Sequence, residues 1–231
     1  MKIYAVKILD IEKEKLDEIC LMITLEKKCK IQRFINKEDK IRTLIGEILI
    51  RTIIAEELNV IDKRIIFDKN DYGKPYLKDY LKFNFNISHS GEFVVCAIDD
   101  KPIGIDIEQV KHIEYKEIAE CFFSVSEFNC IMQNDLCKQL NKFYEIWTLK
   151  ESYIKCYGQG LSIPLKSFSI DISRDGNIKI ITNNKYNIHI LNMLDIELGY
   201  KMAVCSVNKE IPNNMIMIEQ NNLINKYLKI K

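Results

Sequence analysis

Phe93-Val94-Val95-Cys96-Ala97-Ile98-Asp99-Asp100-Lys101-Pro102-Ile103-Gly104-Ile105-Asp106-Ile107-Glu108 holds two short apolar runs on either side of a polar break that ends in proline. Runs of this length, rich in β-branched residues and bounded by Asp and Pro, predict strands over 93–98 and 103–108 with a turn between them. Side chains alternate along a strand, so Asp106 and Glu108 share one face while Ile105 and Ile107 turn to the core. Further runs predict strands over 1–7, 83–87, 168–172, 178–181 and 200–207. Ile41, Leu44, Ile45, Ile48, Leu49 and Ile53 recur at helical spacing with charges opposite, which predicts a helix over 40–58. A second long helix is expected from about 139 to 157, where Gly158-Gln159-Gly160 stops it. Strands interrupted by helices, without regular βαβ alternation, make an α+β fold.

Two landmarks recur in order. Thr43-Leu44 lies in the first helix and Thr148-Leu149 in the second, and each precedes a similar strand, 93–98 and 202–207. The spacing suggests a duplicated unit with a joint near Asp100-Lys101-Pro102, and hence halves over 1–101 and 102–231. Thr182-Asn183-Asn184-Lys185 and Asn213-Asn214 read as turns, and the tail from Asn221 as a peripheral helix.

The 231 residues suffice for one large domain or two small ones. Lysine and arginine number 34 against 33 acids, so the overall charge favours neither nucleic acid nor a strongly acidic partner. None of the eight cysteines forms a C-x-x-C pair, which argues against structural zinc and for free thiols in a reducing cytosol. The lysine-interrupted N-terminus reads as a strand, not a signal peptide, and the most apolar helix carries too many charges to span a bilayer. A cytoplasmic location is the expectation.

Four clusters carry chemistry. Asp106 and Glu108, on one strand face, repel unless a cation joins them, and hard divalent ions take such oxygens together with substrate phosphates; the alternative is a solvated face. In Trp147-Thr148-Leu149-Lys150-Glu151-Ser152-Tyr153-Ile154-Lys155, Glu151 and Lys155 share a helix face, which an ordinary i,i+4 ion pair also explains. Asn86-Ile87-Ser88-His89-Ser90-Gly91 reads as a strand ending in a donor-rich turn, suited to a phosphate or merely structural. Tyr72-Gly73-Lys74-Pro75 is an exposed turn whose lysine can reach a phosphate.

Taken together and in order, Ser88-His89-Ser90, Gly104-x-Asp106-x-Glu108 and Trp147-Thr148-x-Lys150-Glu151 through Lys155 to Gly158-x-Gly160-Leu161 resemble the 4′-phosphopantetheinyl transferase superfamily. The likeness extends to Tyr72-Gly73-Lys74-Pro75, Phe122-Phe123-Ser124 and Gly199-Tyr200-Lys201-Met202-Ala203-Val204-Cys205, nearly the whole chain, and the length suits the larger, surfactin-synthetase-activating subfamily.

The resemblance implies a pseudo-dimer of two similar α/β halves with coenzyme A in the cleft. It implies Mg²⁺, or Mn²⁺ in its place, on Asp106, Glu108 and Glu151, and transfer of phosphopantetheine to a serine of an apo acyl or peptidyl carrier protein. Glu151 is then the candidate base, with Glu108 as its rival, and Lys155 the counter-charge. Lys27, Lys30, Thr43, Lys74, Ser88 and His89 are expected around the coenzyme A phosphates, and Tyr72, Gly73 and Pro75 near adenine. Ser124-x-x-Glu127 is a capping box. The segment from Gln109 to Phe123, with Ile113, Tyr115 and Ile118 among Lys111 and Lys116, either docks the carrier or packs on its own core. An internal pseudo-dimer makes a monomer the default. The competing readings are a metal-dependent nucleotide phosphohydrolase and an inactive carrier-binding module.

Overall fold

The computed structural model describes residues 1–173, 175–182, 188–207 and 210–231. The expected turn at 183–185 lies outside the described residues.

The first half runs β1 (Lys2–Lys7), α1 (Lys13–Cys20), α2 (Leu25–Arg33), α3 (Lys37–Leu58), a hairpin of β2 (Phe67–Lys69) and β3 (Pro75–Leu77), then β4 (Asn84–Ser90) and β5 (Phe93–Asp99). The second half runs β6 (Ile103–Gln109), α4 (Tyr115–Phe122), α5 (Val125–Met132), α6 (Leu136–Tyr157), β7 (Phe168–Ile172) paired with β8 (Ile178–Thr182), β9 (Ile190–Met193) and β10 (Tyr200–Ser206). β11 (Ile216–Met217) and α7 (Gln220–Ile230) close the chain.

The repeat is one of topology. One sheet is ordered β11-β1-β5-β4 and the other β6-β10-β9, so in each half the last strand lies between the first and the penultimate. α3 and α6 are both 22 residues long, and each ends on a left-handed residue, Asn59 (φ 51°) and Gly158 (φ 81°). Thr43 sits in the second turn of its helix and Thr148 in the fourth, so this pair does not mark equivalent positions; β5 and β10 do.

Alternation along the strands builds the core in layers. Ile3 and Ala5 of β1, Phe93, Val95 and Ala97 of β5, Ile103, Ile105 and Ile107 of β6, and Met202 and Val204 of β10 form one cluster between the two sheets. Tyr4, Val6, Val94 and Cys96, on the opposite face of the first sheet, pack on α3. Ala203 and Cys205 pack on Leu149, Tyr153 and Cys156 of α6. The order is therefore helix, sheet, sheet, helix.

Two expectations are corrected. α3 is apolar nearly all round and buried, and the charges placed on an outer face include Glu47 and Arg51, both 4% exposed. They persist inside because Arg51 donates to Glu47 (2.6 Å) and to Asp62 (3.0 Å). The tail helix is not peripheral. α7 buries Leu223, Ile224 and Tyr227 in the α3 core, and β11 pairs with β1, so these last elements complete the first half.

Candidate active site

The two halves meet along β4 and β6, where side chains substitute for a backbone ladder. Asn86, Ser88 and Ser90 project from one face of β4 towards β6. Asn86 Oδ1 accepts from Ile105 N (2.8 Å), Ser88 Oγ from Ile107 N (3.4 Å) and Ser90 Oγ from Gln109 N (3.0 Å). The same hydroxyls donate onward, Ser88 to Asp106 Oδ1 and Ser90 to Glu108 Oε2, each at 2.9 Å. Ser88-His89-Ser90 is thus strand, not turn; the turn comes at Gly91 (φ +55°). With their backbone paired to β5 as far as Ser90 and Phe93 and their side chains satisfied by β6, these polar residues extend β4 beyond the apolar run that marks it in sequence.

α6 closes the seam from the other side. Gly104 lets it come close: a Cβ there would stand 2.1 Å from Ser152 O and 2.4 Å from Cys156 N. This approach brings Lys155 Nζ to 2.5 Å from Asp106 Oδ1 and 3.1 Å from Ser88 Oγ. The ion pair that sequence assigned to Glu151–Lys155 is therefore made between Lys155 and Asp106 across the seam. Asp106 is 2% exposed, which overturns the solvated-face reading.

Electrostatics make this a cation-seeking cluster. Burial raises the Asp106 pKa against the pull of Lys155 and Ser88. Burial and then the Asp106 charge push Glu108 up to about 7, and the same two causes raise Glu151. Asp106 Oδ2 is buried without a hydrogen-bond partner. Such an orphaned oxygen among hard, mutually repelling carboxylates fits a divalent cation. Among the described residues no three His, Cys, Asp or Glu side chains stand together as a group that could hold a metal ion by themselves.

A cavity of about 570 Å³ opens in the first half between α2, α3 and the β2–β3 hairpin. Lys27, Lys30, Gly73 and Pro75 line it, with Glu47, Arg51 and Phe67 among its other walls. Lys27 is held by Glu47 Oε2 at 3.0 Å, and Arg51 lies 5.1 Å from the Phe67 ring centre. Sequence reasoning missed Glu47, Arg51 and Phe67; the i,i+4 spacing of Glu47 and Arg51 was the available signal. It also missed Asn86 and Ser90 as partners of β6, although both lie at period two from Ser88.

The remaining predicted residues lie elsewhere. Thr43 is half-buried on α3 and Tyr72 is exposed. His89 stands at the rim, on the α3 side of β4, its pKa lowered by desolvation and by Arg42 and Lys155. Lys74 departs from the expected phosphate role. Its ammonium donates to Lys155 O (2.6 Å), Ile103 O (3.0 Å) and Cys156 O (3.5 Å), stitching the hairpin to the end of α6. Ser88 likewise has its hydroxyl committed to Asp106.

Lys150 and Glu127 form a second, wholly buried pair. Lys150 donates to both Glu127 oxygens (2.7 and 2.8 Å) and to Phe168 O (2.8 Å). Glu127 therefore completes the capping box with Ser124 and also anchors the core beneath β7, where it accepts from Ile170 N (2.7 Å). Ile113, Tyr115 and Ile118 pack with Phe123 and Phe143 in the helical core of the second half.

Known proteins give this geometry its context. The family model for the 4′-phosphopantetheinyl transferase superfamily matches residues 102–205, and that for 4′-phosphopantetheinyl transferase, N-terminal, matches 11–101. The chain is 39% identical to 4′-phosphopantetheinyl transferase Sfp of Bacillus subtilis (strain 168), over 97% of this chain and 100% of that one. It is 39% identical to 4′-phosphopantetheinyl transferase gsp of Aneurinibacillus migulanus, over 89% and 86%. It is 33% identical to 4′-phosphopantetheinyl transferase psf-1 of Bacillus pumilus, over 98% of each. With near-complete coverage on both sides, the chain belongs to the 4′-phosphopantetheinyl transferase superfamily.

Proposed function

We propose that this protein transfers 4′-phosphopantetheine from coenzyme A to a serine of an apo acyl or peptidyl carrier protein, releasing adenosine 3′,5′-bisphosphate. The observation that carries this reading is the seam itself. Asp106 and Glu108 from β6 meet Glu151 and Lys155 from α6, with one Asp106 oxygen buried and unpartnered. Family membership supplies the reaction class. The two halves are taken as 1–101 and 102–231, with β11 and α7 folded back on the first.

Asp106, Glu108 and Glu151 would hold Mg²⁺, with Mn²⁺ as a workable substitute. When bound, the ion offsets charge on the pyrophosphate oxygens and makes the phosphorus more electrophilic. Lys155 is partly exposed, so its ammonium can serve the departing bisphosphate as well as Asp106. The carrier serine oxygen attacks the β-phosphorus, and Glu151, whose proton affinity burial has raised, takes the serine proton. Ser88 and Ser90 hold the two β6 carboxylates in place. Lys27 and Lys30 meet the 3′-phosphate in the 570 Å³ cavity, and Gly73 and Pro75 on its wall, with exposed Tyr72 beside them in the chain, meet adenine. Thr43 and His89 complete the phosphate rim. Exposed Phe122, Val125 and Leu136 on α4–α6 offer apolar contacts to the carrier.

No helix among the described residues is long and apolar enough to cross a membrane; we place the enzyme in the cytoplasm as a monomer, without nucleic-acid partners.

The test is intact mass spectrometry of an apo carrier incubated with the protein, coenzyme A and Mg²⁺, with an EDTA control. The carrier should gain one phosphopantetheine on its serine, and EDTA should abolish the gain. Breakdown of coenzyme A with an unmodified carrier would identify a phosphohydrolase instead. Coenzyme A and carrier both left intact would identify an inactive binding module.

A further inference from the structure

Behind the catalytic seam, at the end of α6, lies a thiol pair that the transfer reaction does not use. Cys156 follows Lys155 directly and is 2% exposed; Cys205, on β10, is fully buried. Both belong to the cluster between α6 and the second sheet. Their proximity follows from Gly104. It is the cross-strand partner of Cys205, and a Cβ on it would lie 3.0 Å from Cys156 Cα. The Cys156 backbone therefore rests over the Gly104–Cys205 rung. The Cys205 thiol and the His189 imidazole lie close enough to bias the ionisation of Cys156, and the Lys74 ammonium donates to Cys156 O at 3.5 Å.

The surroundings favour the thiolate. The Cys156 pKa is lowered, first by Cys205, then by His189 and Lys74, against the cost of burial. In its thiol form Cys156 donates to Pro102 O at 3.3 Å. Access is local: Cys156 lines a cavity of about 220 Å³ with Pro102, Tyr157 and Gly158, large enough for water-sized molecules.

We propose that Cys156 and Cys205 form a peroxide-sensitive dithiol whose oxidation to a disulfide switches the enzyme off. The Cys156 thiolate attacks one oxygen of a hydroperoxide. The O–O bond breaks, an S–O bond forms, and hydroxide or alkoxide leaves, giving a sulfenic acid at Cys156. The Cys205 sulfur then attacks Cys156 Sγ, its thiol proton passes to the departing hydroxyl, and water leaves as the S–S bond forms. The peroxide is reduced by two electrons and the dithiol is oxidised by two; an external dithiol reverses the change. The bond ties the last turn of α6 to β10, so Lys155 and, one turn earlier, Glu151 move relative to Asp106.

The experiment uses the full chain with exposed Cys29, Cys121 and Cys137 changed to serine, treated with hydrogen peroxide and analysed by intact mass and non-reducing peptide mapping. A loss of two hydrogens, mapped to a Cys156–Cys205 crosslink and reversed by dithiothreitol, is the expected result. In Cys205→Ser, dimedone should trap a sulfenic acid at Cys156. Both thiols staying reduced at a peroxide dose that oxidises Cys29 in the unmodified chain would overturn the proposal, and no variant fold is needed for that comparison. Carrier modification should fall roughly 100-fold on oxidation, the loss expected when a catalytic group moves by about 1 Å, and return with dithiothreitol. Full activity in the crosslinked chain would overturn the switch. The crosslink stands independently of the transferase reading, so failure of that reading shows separately, as no carrier modification even when reduced.

Discussion

Replacing Gly104 with alanine separates the geometry of the seam from its stability. The added methyl carbon would stand 2.1 Å from Ser152 O and 2.4 Å from Cys156 N, both backbone atoms of α6 that no rotamer change can move. Relief requires α6 to retreat from β6 by about 1 Å, enough to restore a tolerable contact. Overpacking of this kind costs about 1–3 kcal/mol, and a rigid helix backbone as the obstacle puts Gly104→Ala near the upper end. For a chain of this length that lowers Tm by about 6–12 °C, leaving the protein folded at room temperature. The effect on function should be larger. The retreat carries Glu151 and Lys155 away from Asp106, whose link to Lys155 is 2.5 Å, and a misplacement of about 1 Å costs on the order of 100-fold in rate. Urea unfolding and steady-state carrier modification, measured on one preparation, give both quantities. Wild-type turnover together with normal stability would refute the claim that close approach at Gly104 sets the site; a proportionate loss of both would reduce it to a packing effect.

Glu151→Gln should suppress turnover far more than coenzyme A binding, read as kcat against Kd; unchanged turnover removes Glu151 from the role of base. Glu127→Leu alone leaves the Lys150 ammonium buried without its carboxylate and should cost about 3–5 kcal/mol, whereas adding Lys150→Met should recover much of it. A urea double-mutant cycle without that coupling would show the pair to be independent. Glu108, at about 7 when folded and about 4.3 when unfolded, binds more protons in the native state across that window. Its contribution to stability in metal-free protein is therefore complete below the unfolded value and is lost as pH rises through about 7. Mn²⁺ affinity, read by electron paramagnetic resonance, should rise over the same window as the proton leaves; pH-independent Mn²⁺ binding would exclude Glu108 as a ligand.

Strands on apolar runs were legible in sequence because burial on one or both faces writes itself into residue type: 168–172 is recovered as expected and 93–98 to within one residue. The failures share a cause. β4 runs on through Ser88-His89-Ser90 because its backbone stays paired with β5 as far as Ser90 and Phe93, while β6, some twenty residues away, supplies partners for both hydroxyls. Glu47 and Arg51 look like a surface pair until Lys27 of α2 joins Glu47 and Asp62 joins Arg51. α7 looks peripheral until α3 receives it. Local sequence reports local burial, and in each of these cases a contact from another segment decides the outcome.

The same logic separates the two lysines of Trp147-Thr148-Leu149-Lys150-Glu151-Ser152-Tyr153-Ile154-Lys155, which a motif treats alike. Five residues along an α-helix turn the side chain by about 140°, so Lys150 and Lys155 leave α6 on different sides. Lys150 enters the core of the second half, where Glu127, Phe168 O and the Phe168 ring (4.3 Å) enclose it. Lys155 crosses the seam to Asp106 and keeps about a quarter of its side chain exposed. A buried, fully partnered ammonium cannot follow charge developing on a substrate, whereas a partly exposed one held by a single carboxylate can exchange that partner for a phosphate. Charge removal at Lys150 should therefore register in unfolding, and at Lys155 in turnover, although the two lie five residues apart on one helix.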